Sequence, residues 1–257
     1  GGGGGGGGGG GTRNSAGGNG RPGYVVITYT CPTYALTSPT TSNSPLCGAS
    51  VANVTLNSSS LATGTYTVTY NLSGATTAIG NTAIMNFTAG SPGTGTFSTS
   101  LVNLGTTTVT ITNLASSYCS NSISSFNTTT LIANSSPTAN SGTDITACSS
   151  DTNIAITAGS GATNYTTVTW TSSGTGSFTN ANSLTTCTYN PSPADIAAGS
   201  VILTLNATNP GCTVATSTKI LSLVTAPSAD AGTAVSTCST LLDVNITAGA
   251  NATNFTS

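Results

Sequence analysis

Seven cysteines carry the most specific chemistry in this sequence. They stand at positions 31, 47, 119, 148, 187, 212 and 238, and the chain has no histidine. Zinc sites use closely spaced C-x-x-C pairs, often completed by histidine, and no two of these cysteines have that spacing. We therefore predict disulfide bonds rather than a metal site. Together with only 3% charged residues, the cysteine content is typical of a secreted or cell-surface protein in an oxidising environment.

Groups that support catalysis are scarce. A serine nucleophile needs a neighbouring base, and a chain without histidine and with Lys219 as its one lysine offers no plausible dyad. The five aspartates are scattered, so they form neither the carboxylate pair of a glycosidase nor the oxygen cluster of a calcium site. The sequence predicts a protein that is not an enzyme and that has no cofactor and no metal.

Two copies of one sequence unit organise the second half of the chain. The unit that begins at Pro137 starts again at Pro227, and the copies align without a gap. Cys148 and Cys238 correspond at an offset of 238 − 148 = 90 residues. A constant period of that size is too long for a solenoid and fits one small domain used in tandem. Because the second copy stops at Ser257, about a third of the way through, we expect the chain to be a fragment of a longer protein.

Short apolar runs with period-two alternation predict β-strands in two successive modules. Gly, Asn and Pro turns separate the runs at the spacing expected of immunoglobulin-like sandwiches. Trp170 and Val168 share one strand face, and we predict that Trp170 is the centre of the second core. The predicted strands are residues 51–56, 65–70, 82–87, 95–98, 106–112 and 131–133, then 153–158, 167–171, 177–178, 183–189, 201–207 and 216–224, with a short strand near Ile145 and a helical turn at 193–199.

Each module contains two cysteines that we predict to pair. In the complete repeat, Cys148 precedes the second strand and Cys212 follows the sixth, which would bring both to one end of a sandwich. We predict a Cys148–Cys212 disulfide on this basis. The same logic predicts a Cys47–Cys119 disulfide in the first module.

Three cysteines are left without a predicted partner inside the chain. Cys238 corresponds to Cys148, so its partner is expected at position 212 + 90 = 302, beyond the last residue. Cys187 falls in a predicted strand and is most simply a buried thiol. Cys31 is expected to pair upstream or with another chain.

The N-terminal region is dominated by glycine. Residues 1–11 are all glycine, and alone such a run is a flexible linker. The following GGNGRPGYVVITY, in which residues 24–29 are a predicted strand, resembles the closing strand of bacterial glycine-rich domains. In those domains, polyglycine segments pack as extended left-handed helices. The resemblance implies glycines ordered by backbone hydrogen bonds, and the linker is the alternative.

The predicted fold class is all-β, with tandem immunoglobulin-like β-sandwiches after a polyglycine segment and a single β-strand. Residues 1–30 are the predicted end of a glycine-rich domain. The first predicted sandwich is residues 31–136 and begins with a Pro-, Ser- and Thr-rich spacer at 31–45. The second predicted sandwich is residues 137–226. Residues 227–257 are the predicted start of a third.

The formal net charge of −2 limits the kinds of partner that this chain is expected to bind. A chain without a basic field does not gather nucleic acid or anionic lipid, so we expect no nucleic-acid partner. No apolar run is long enough to span a bilayer. A neutral surface rich in hydroxyl and amide groups favours self-association, because ordinary surfaces use charge to stay soluble.

The repeat as a whole resembles a known family. The segments TWTSSGTGSFTNANSLTT and NPSPADIAAGSVILTL are similar to the tandem immunoglobulin-like modules of very large surface proteins in gliding and surface-colonising Bacteroidetes. The resemblance covers nearly all of the chain. It implies an adhesin exported by the type IX route to the bacterial cell surface, which reaches the outer-membrane secretion and anchoring machinery through regions outside this sequence.

Three functions remain open. The first is a disulfide-stapled stalk of an adhesin, favoured because the Pro-containing links at residues 135–137 and 225–227 are too short to let neighbouring modules move far. The second is a carbohydrate-binding accessory module of a secreted enzyme. The third is a subunit of an extracellular filament, whose incomplete third module is finished by a neighbour. Surface glycans or another adhesive target are the candidate partners.

Overall fold

The structure, a computed structural model, describes residues 26–238, 243–247 and 249–254. The polyglycine run and the first two residues of the predicted strand 24–29 lie outside the described residues. The chain divides into two compact units, residues 1–32 and 33–257. All of the described strands and the one described helix lie in the second unit, and the predicted all-β fold class is confirmed.

The described residues form 20 strands and one short helix. In chain order the elements are β1 (Ser38–Ser42), β2 (Leu46–Cys47), β3 (Val51–Ser58), β4 (Gly64–Gly74), β5 (Ala78–Thr88), β6 (Gly93–Ser100), β7 (Gly105–Ala115), β8 (Ser120–Ser122), β9 (Thr128–Asn134), β10 (Thr138–Asn140), β11 (Ile145–Cys148), β12 (Ile154–Ala155), β13 (Gly161–Thr163), β14 (Thr167–Ser172), β15 (Ser177–Thr179), β16 (Thr188–Asn190), α1 (Pro193–Ala198), β17 (Ser200–Thr208), β18 (Ala215–Val224), β19 (Ser228–Asp230) and β20 (Asn251–Thr253). We call β1–β9 module 1, and β10–β18 with α1 module 2. Strands β19 and β20 pair antiparallel in a separate two-stranded sheet.

One nine-stranded sheet builds module 1. Its order is β1-β3-β6-β5-β4-β7-β9-β2, with β8 beside β7, and only the β2–β9 pair is parallel. Alternate side chains turn inward, as the period-two alternation of the predicted strands indicates, and Val109 and Ile111 of β7 are fully buried. Tyr70 of β4 and Phe97 of β6 have ring centroids 4.9 Å apart although β5 lies between their strands, so the sheet curls around one core.

Two facing sheets enclose a separate core in module 2. The larger has the order β11-β18-β17-β14 and the smaller β12-β16-β15. Trp170 of β14 is 1% exposed, and its indole N–H donates to the Ser183 carbonyl at 3.2 Å. Tyr189 of β16 and Leu203 of β17 share its cluster. Side chains from both sheets therefore meet at Trp170.

The predicted single strand at residues 24–29 is not formed over its described part. Residues 26–37 are in no strand. Val26 and Ile27 are 73% and 85% exposed, and no described strand pairs with them. A β-strand needs a neighbour to take its backbone hydrogen bonds, so a favourable run of residue types is not sufficient.

Two other predictions need correction. The predicted spacer at residues 31–45 contributes β1, which pairs with β3. The predicted strand 183–189 shortens to Thr188–Asn190 because the Ser183 hydroxyl accepts the N–H groups of residues 185 and 186 and holds a turn. The other predicted strands coincide with observed ones to within a few residues.

A buried carboxylate holds helix α1 to the strands around it. Asp195 forms a capping box with Ser192 at the start of the helix, within the helical turn predicted at residues 193–199. Its carboxylate, 3% exposed, also accepts the N–H groups of Thr175 and Gly176 at 2.9 Å and the Tyr189 hydroxyl at 2.7 Å. Burial opposes ionisation of Asp195, but hydrogen bonds from the Ser192 and Thr175 backbone and from the Tyr189 and Ser192 hydroxyls outweigh it and lower the pKa to about 2.

Replacing Asp195 with alanine should reduce the free energy of unfolding by about 1–3 kcal/mol, because buried N–H groups lose their acceptor. A carboxyl with a lowered pKa contributes stability above its unfolded pKa, near 3.9, and this stability is lost as pH falls toward about 2. Denaturant titrations between about pH 2 and pH 5 should therefore show that the free energy of unfolding falls more steeply with decreasing pH in the unaltered chain than in Asp195→Ala. Equal pH slopes in both would contradict this role.

Candidate functional site: the joint between modules 1 and 2

Three residues, 135–137, connect the end of β9 to the start of β10. On the module 1 side, β2 runs parallel to β9 and places Cys47 opposite Asn134, the last residue of β9. The N–H of Gly48 donates to the Asn134 carbonyl at 2.7 Å. Cys47 therefore stands at the end of module 1 from which the chain leaves.

On the module 2 side, a tight turn between β17 and β18 lies at the joint. The Cys212 N–H donates to the Asn209 carbonyl at 3.0 Å and closes the turn. Pro210 and Gly211 occupy its centre, and Gly211 has a φ of +81°. Proline followed by a glycine with positive φ is the pattern of a type II turn. The turn presents Cys212 at the end of module 2 opposite to the one where β18 finishes.

A disulfide bond joins Cys47 to Cys212 across the joint and links residues 165 positions apart. The predicted Cys148–Cys212 pair is therefore wrong, and Cys148 is a free thiol. Cys148 lies opposite Val224 at the end of β18, whereas Cys212 precedes that strand. Ten residues of strand separate the two ends, a distance of about 30 Å. The Cα atoms of a disulfide must lie within about 7 Å.

Among the other cysteines, the predicted pairing of Cys119 also needs correction. Cys119 is 4% exposed in the core of module 1 and is disulfide-bonded, so the predicted Cys47–Cys119 bond is wrong. Cys31 is disulfide-bonded as well. Cys187 is a free, fully buried thiol, as predicted. Burial raises the pKa of Cys187 to about 11, so this thiol is unreactive at neutral pH.

Asparagine side chains reinforce the disulfide from both sides. The side-chain amide of Asn134 in module 1 donates to the Pro210 carbonyl at 2.9 Å. In the opposite direction, Asn209 of module 2 donates to the Ser135 carbonyl at 2.9 Å. Asn164 adds a bond to the Ser136 carbonyl at 3.2 Å. These amides satisfy carbonyl groups of the link and the turn that belong to no strand ladder.

Gly211 determines how closely the two modules approach. A Cβ atom at this position would overlap the carbonyl group of Pro45 in module 1. Any other residue would push the turn away and would also strain its positive φ. The joint thus combines a backbone-to-backbone contact, one disulfide and three amide hydrogen bonds.

The one cation among the described residues lies inside module 2. Lys219 is 2% exposed, its Nζ donates to the Ile156 carbonyl, and it lies 5.1 Å from the centre of the Trp170 ring. Burial lowers the pKa of Lys219, although the Asp144 carboxylate opposes this. From the sequence, Lys219 stands out only as an unsuitable base, and its packing role is missed. Its inward position in the alternation of β18 was the available signal.

The described residues contain no group of three or more His, Cys, Asp or Glu side chains that could hold a metal ion. In the same part of the chain, no helix has the length and apolar character needed to cross a membrane. Module 2 has an open groove lined by residues 165–169 and 182–185.

No protein-family model matches the chain, and no curated protein matches it. The joint is therefore interpreted from its own geometry. Its sulfur atoms are already bonded to each other and its other groups are amides and carbonyls. This arrangement suits a mechanical connection between the two modules.

Removing the joint disulfide should destabilise the chain without abolishing either core. In the Cys47→Ser/Cys212→Ser variant, the free energy of unfolding should fall by at most about 5 kcal/mol, the chain-entropy value for a loop of 165 residues. Amide exchange at Gly48 and at position 212 should accelerate, because both N–H groups lie at the joint.

Denaturant unfolding and hydrogen exchange measured by NMR check this prediction. The matched control is Cys148→Ser/Cys238→Ser, which changes two free thiols and should alter neither measurement. Equal losses in the two double variants would show that the effect comes from cysteine replacement and not from the bond.

Proposed function

We propose that this chain is part of a structural stalk in a large secreted adhesin of the bacterial cell surface. The observation that supports this best is the Cys47–Cys212 disulfide, because it connects neighbouring modules instead of stabilising one core. A function carried by either module alone would not require that bond. A function that depends on the modules staying in a fixed arrangement would.

The position of the disulfide also suits a chain under tension. A force applied at the two ends passes from Cys47 directly to Cys212, so residues 48–211 lie within the closed loop. That loop contains all but a few of the strands of both modules. Extending residues 48–211, which supply most of both cores, would require breaking the S–S bond. Such shielding favours a load-bearing role.

The disulfides support a location outside the cytoplasm. The cysteines at positions 31, 47, 119 and 212 are all in disulfide bonds. Such bonds form and persist in oxidising environments. This agrees with the proposed extracellular site at the cell surface.

The adhesive part of the proposal rests on the resemblance of the repeat to the modules of gliding adhesins in Bacteroidetes, and export by the type IX route belongs to the same proposal. In this role the modules hold a binding region away from the cell. The adhesive target, a surface glycan or another ligand, would then be bound by a different part of the protein.

Single-molecule pulling on the full chain from its two ends tests the stalk role. Reducing the disulfides should release roughly 540–590 Å of additional extension, because 165 residues of about 3.3–3.6 Å each become extensible. Without reductant, the same force should leave residues 48–211 inside the closed loop.

The Cys148→Ser/Cys238→Ser variant, which retains the joint disulfide, serves as the control and should give the same two extensions. If the oxidised chain extended to its full length, the bond would not be carrying the force and the stalk proposal would be wrong.

The groove in module 2 favours carbohydrate binding as a second candidate function. Tyr165 lines it and is 40% exposed. The Thr169 hydroxyl donates to the Asn182 side-chain oxygen at 3.1 Å and holds the opposite walls together. An exposed aromatic ring beside hydroxyl and amide groups can stack on a sugar and hydrogen-bond to it.

On a glycan array, the chain should bind a neutral glycan if this second function holds. Tyr165→Ala should weaken that binding about tenfold, corresponding to about 1.4 kcal/mol for the lost ring. Tyr118→Ala is the control, because Tyr118 is 86% exposed in module 1 and does not line the groove. Absence of binding, or equal weakening by both changes, would exclude the groove as a glycan site.

A further inference from the structure

Cys148 stands in module 2 where Cys47 stands in module 1. Cys47 ends β2, which is parallel to β9, and lies opposite Asn134. Cys148 ends β11, which is parallel to β18, and lies opposite Val224. In both modules the residue after the cysteine donates its N–H to the carbonyl of that opposite residue at 2.7 Å. The two cysteines therefore occupy equivalent positions, each at the end from which the chain leaves its module.

One hydrogen bond of the joint between modules 1 and 2 is repeated at the link that follows module 2. The Asn254 side chain donates to the Ala226 carbonyl at 3.4 Å, as Asn164 donates to the Ser136 carbonyl at 3.2 Å. The two bonds are related by the repeat period, since 254 − 164 and 226 − 136 are both 90. Strands β19 and β20 also pair in the register of β10 and β13. These contacts do not involve Cys148 and are independent of its position.

We propose that Cys148 is one half of a second inter-module disulfide, and that its partner is a module of this same repeat. The partner cysteine belongs to the turn that corresponds to Asn209–Cys212 in a third module complete through that turn. Cys148 is half-buried, so part of the residue is exposed at the surface where such a turn would dock. The inference does not rest on the adhesive role, because it follows from the repeat alone.

The geometry makes each such bond run from one module to the next. In module 2, the free Cys148 lies at the end where β18 finishes, and the bonded Cys212 lies at the opposite end. One module therefore offers a cysteine at each end and cannot join them to each other. Successive modules are connected head to tail, and Cys238 takes the position of Cys148 in the third module.

The bond forms by thiol–disulfide exchange with a small disulfide oxidant such as glutathione disulfide. The thiolate of one cysteine attacks the oxidant and releases one glutathione thiol. The thiolate of the second cysteine then attacks the mixed disulfide and releases the other. Two protein thiols are oxidised to one disulfide, glutathione disulfide is reduced to two thiols, and the two cysteine protons end on the released glutathione.

The test extends the full chain beyond Ser257 with a copy of residues 168–226, which completes the third module. The extended protein is refolded in a glutathione redox buffer and digested without reductant. Mass spectrometry should find Cys148 linked to the appended copy of Cys212, with Cys47–Cys212 also present. In the unextended chain, Cys148 should remain open to alkylation.

Two variants of the extended chain separate this bond from accidental oxidation. Cys148→Ser should leave the appended copy of Cys212 open to alkylation, whereas the matched change Cys238→Ser should leave the new bond intact. The proposal is overturned if Cys148 stays alkylatable, or bonds elsewhere, while fluorescence shows the appended tryptophan to be buried. Failure of the appended module to fold would overturn it as well, because the proposal requires residues 227–257 to begin a module that a copy of residues 168–226 completes.

Discussion

The Cys47–Cys212 disulfide is the constraint on which the arrangement of the two modules depends. Each module has its own buried core, so the bond is not needed to remove apolar surface from water. A three-residue link alone would let one module rotate about the other. The disulfide adds a second point of attachment, and the amides of Asn134 and Asn209 add hydrogen bonds beside it. Rotation about the link then requires breaking several contacts at once.

The topology of each module determines where these attachments lie. Parallel pairing of β2 with β9, and of β11 with β18, carries the first cysteine of a module to the end where its last strand finishes. The antiparallel β17–β18 pair carries the turn with Cys212 to the opposite end. A module built in this way presents complementary groups at its two ends. The inter-module bond is therefore a consequence of strand direction, and no additional domain is needed to form it.

Much of the fold follows from local signals, whereas the joint does not. Alternation along β7 and β14 predicts which side chains turn inward because a strand face repeats every two residues. The proline at the start of α1 and the glycine at its end are equally local signals. Cysteine pairing depends instead on strand direction and on which ends of neighbouring modules meet. The cysteines near the start and near the end of each module suggest one internal bond per module, and only the parallel register of β11 and β18 places Cys148 far from Cys212. The turn at Asn209–Cys212, which must lie at the end of a strand pair, is the sequence signal that could have placed Cys212.

The scarcity of charge explains why covalent and amide contacts hold the joint. The one described cation, Lys219, is buried against Trp170, and the Asp195 carboxylate is buried against backbone N–H groups. The charges left on the described surface are the exposed aspartates at positions 144, 151, 230 and 243. Described surfaces that carry only aspartates cannot form ion pairs with one another, so the joint between modules 1 and 2 relies on sulfur, amide and carbonyl groups. Because screening by salt acts on charges, contacts of that type should persist over a wide range of ionic strength, which suits a protein exposed to its surroundings.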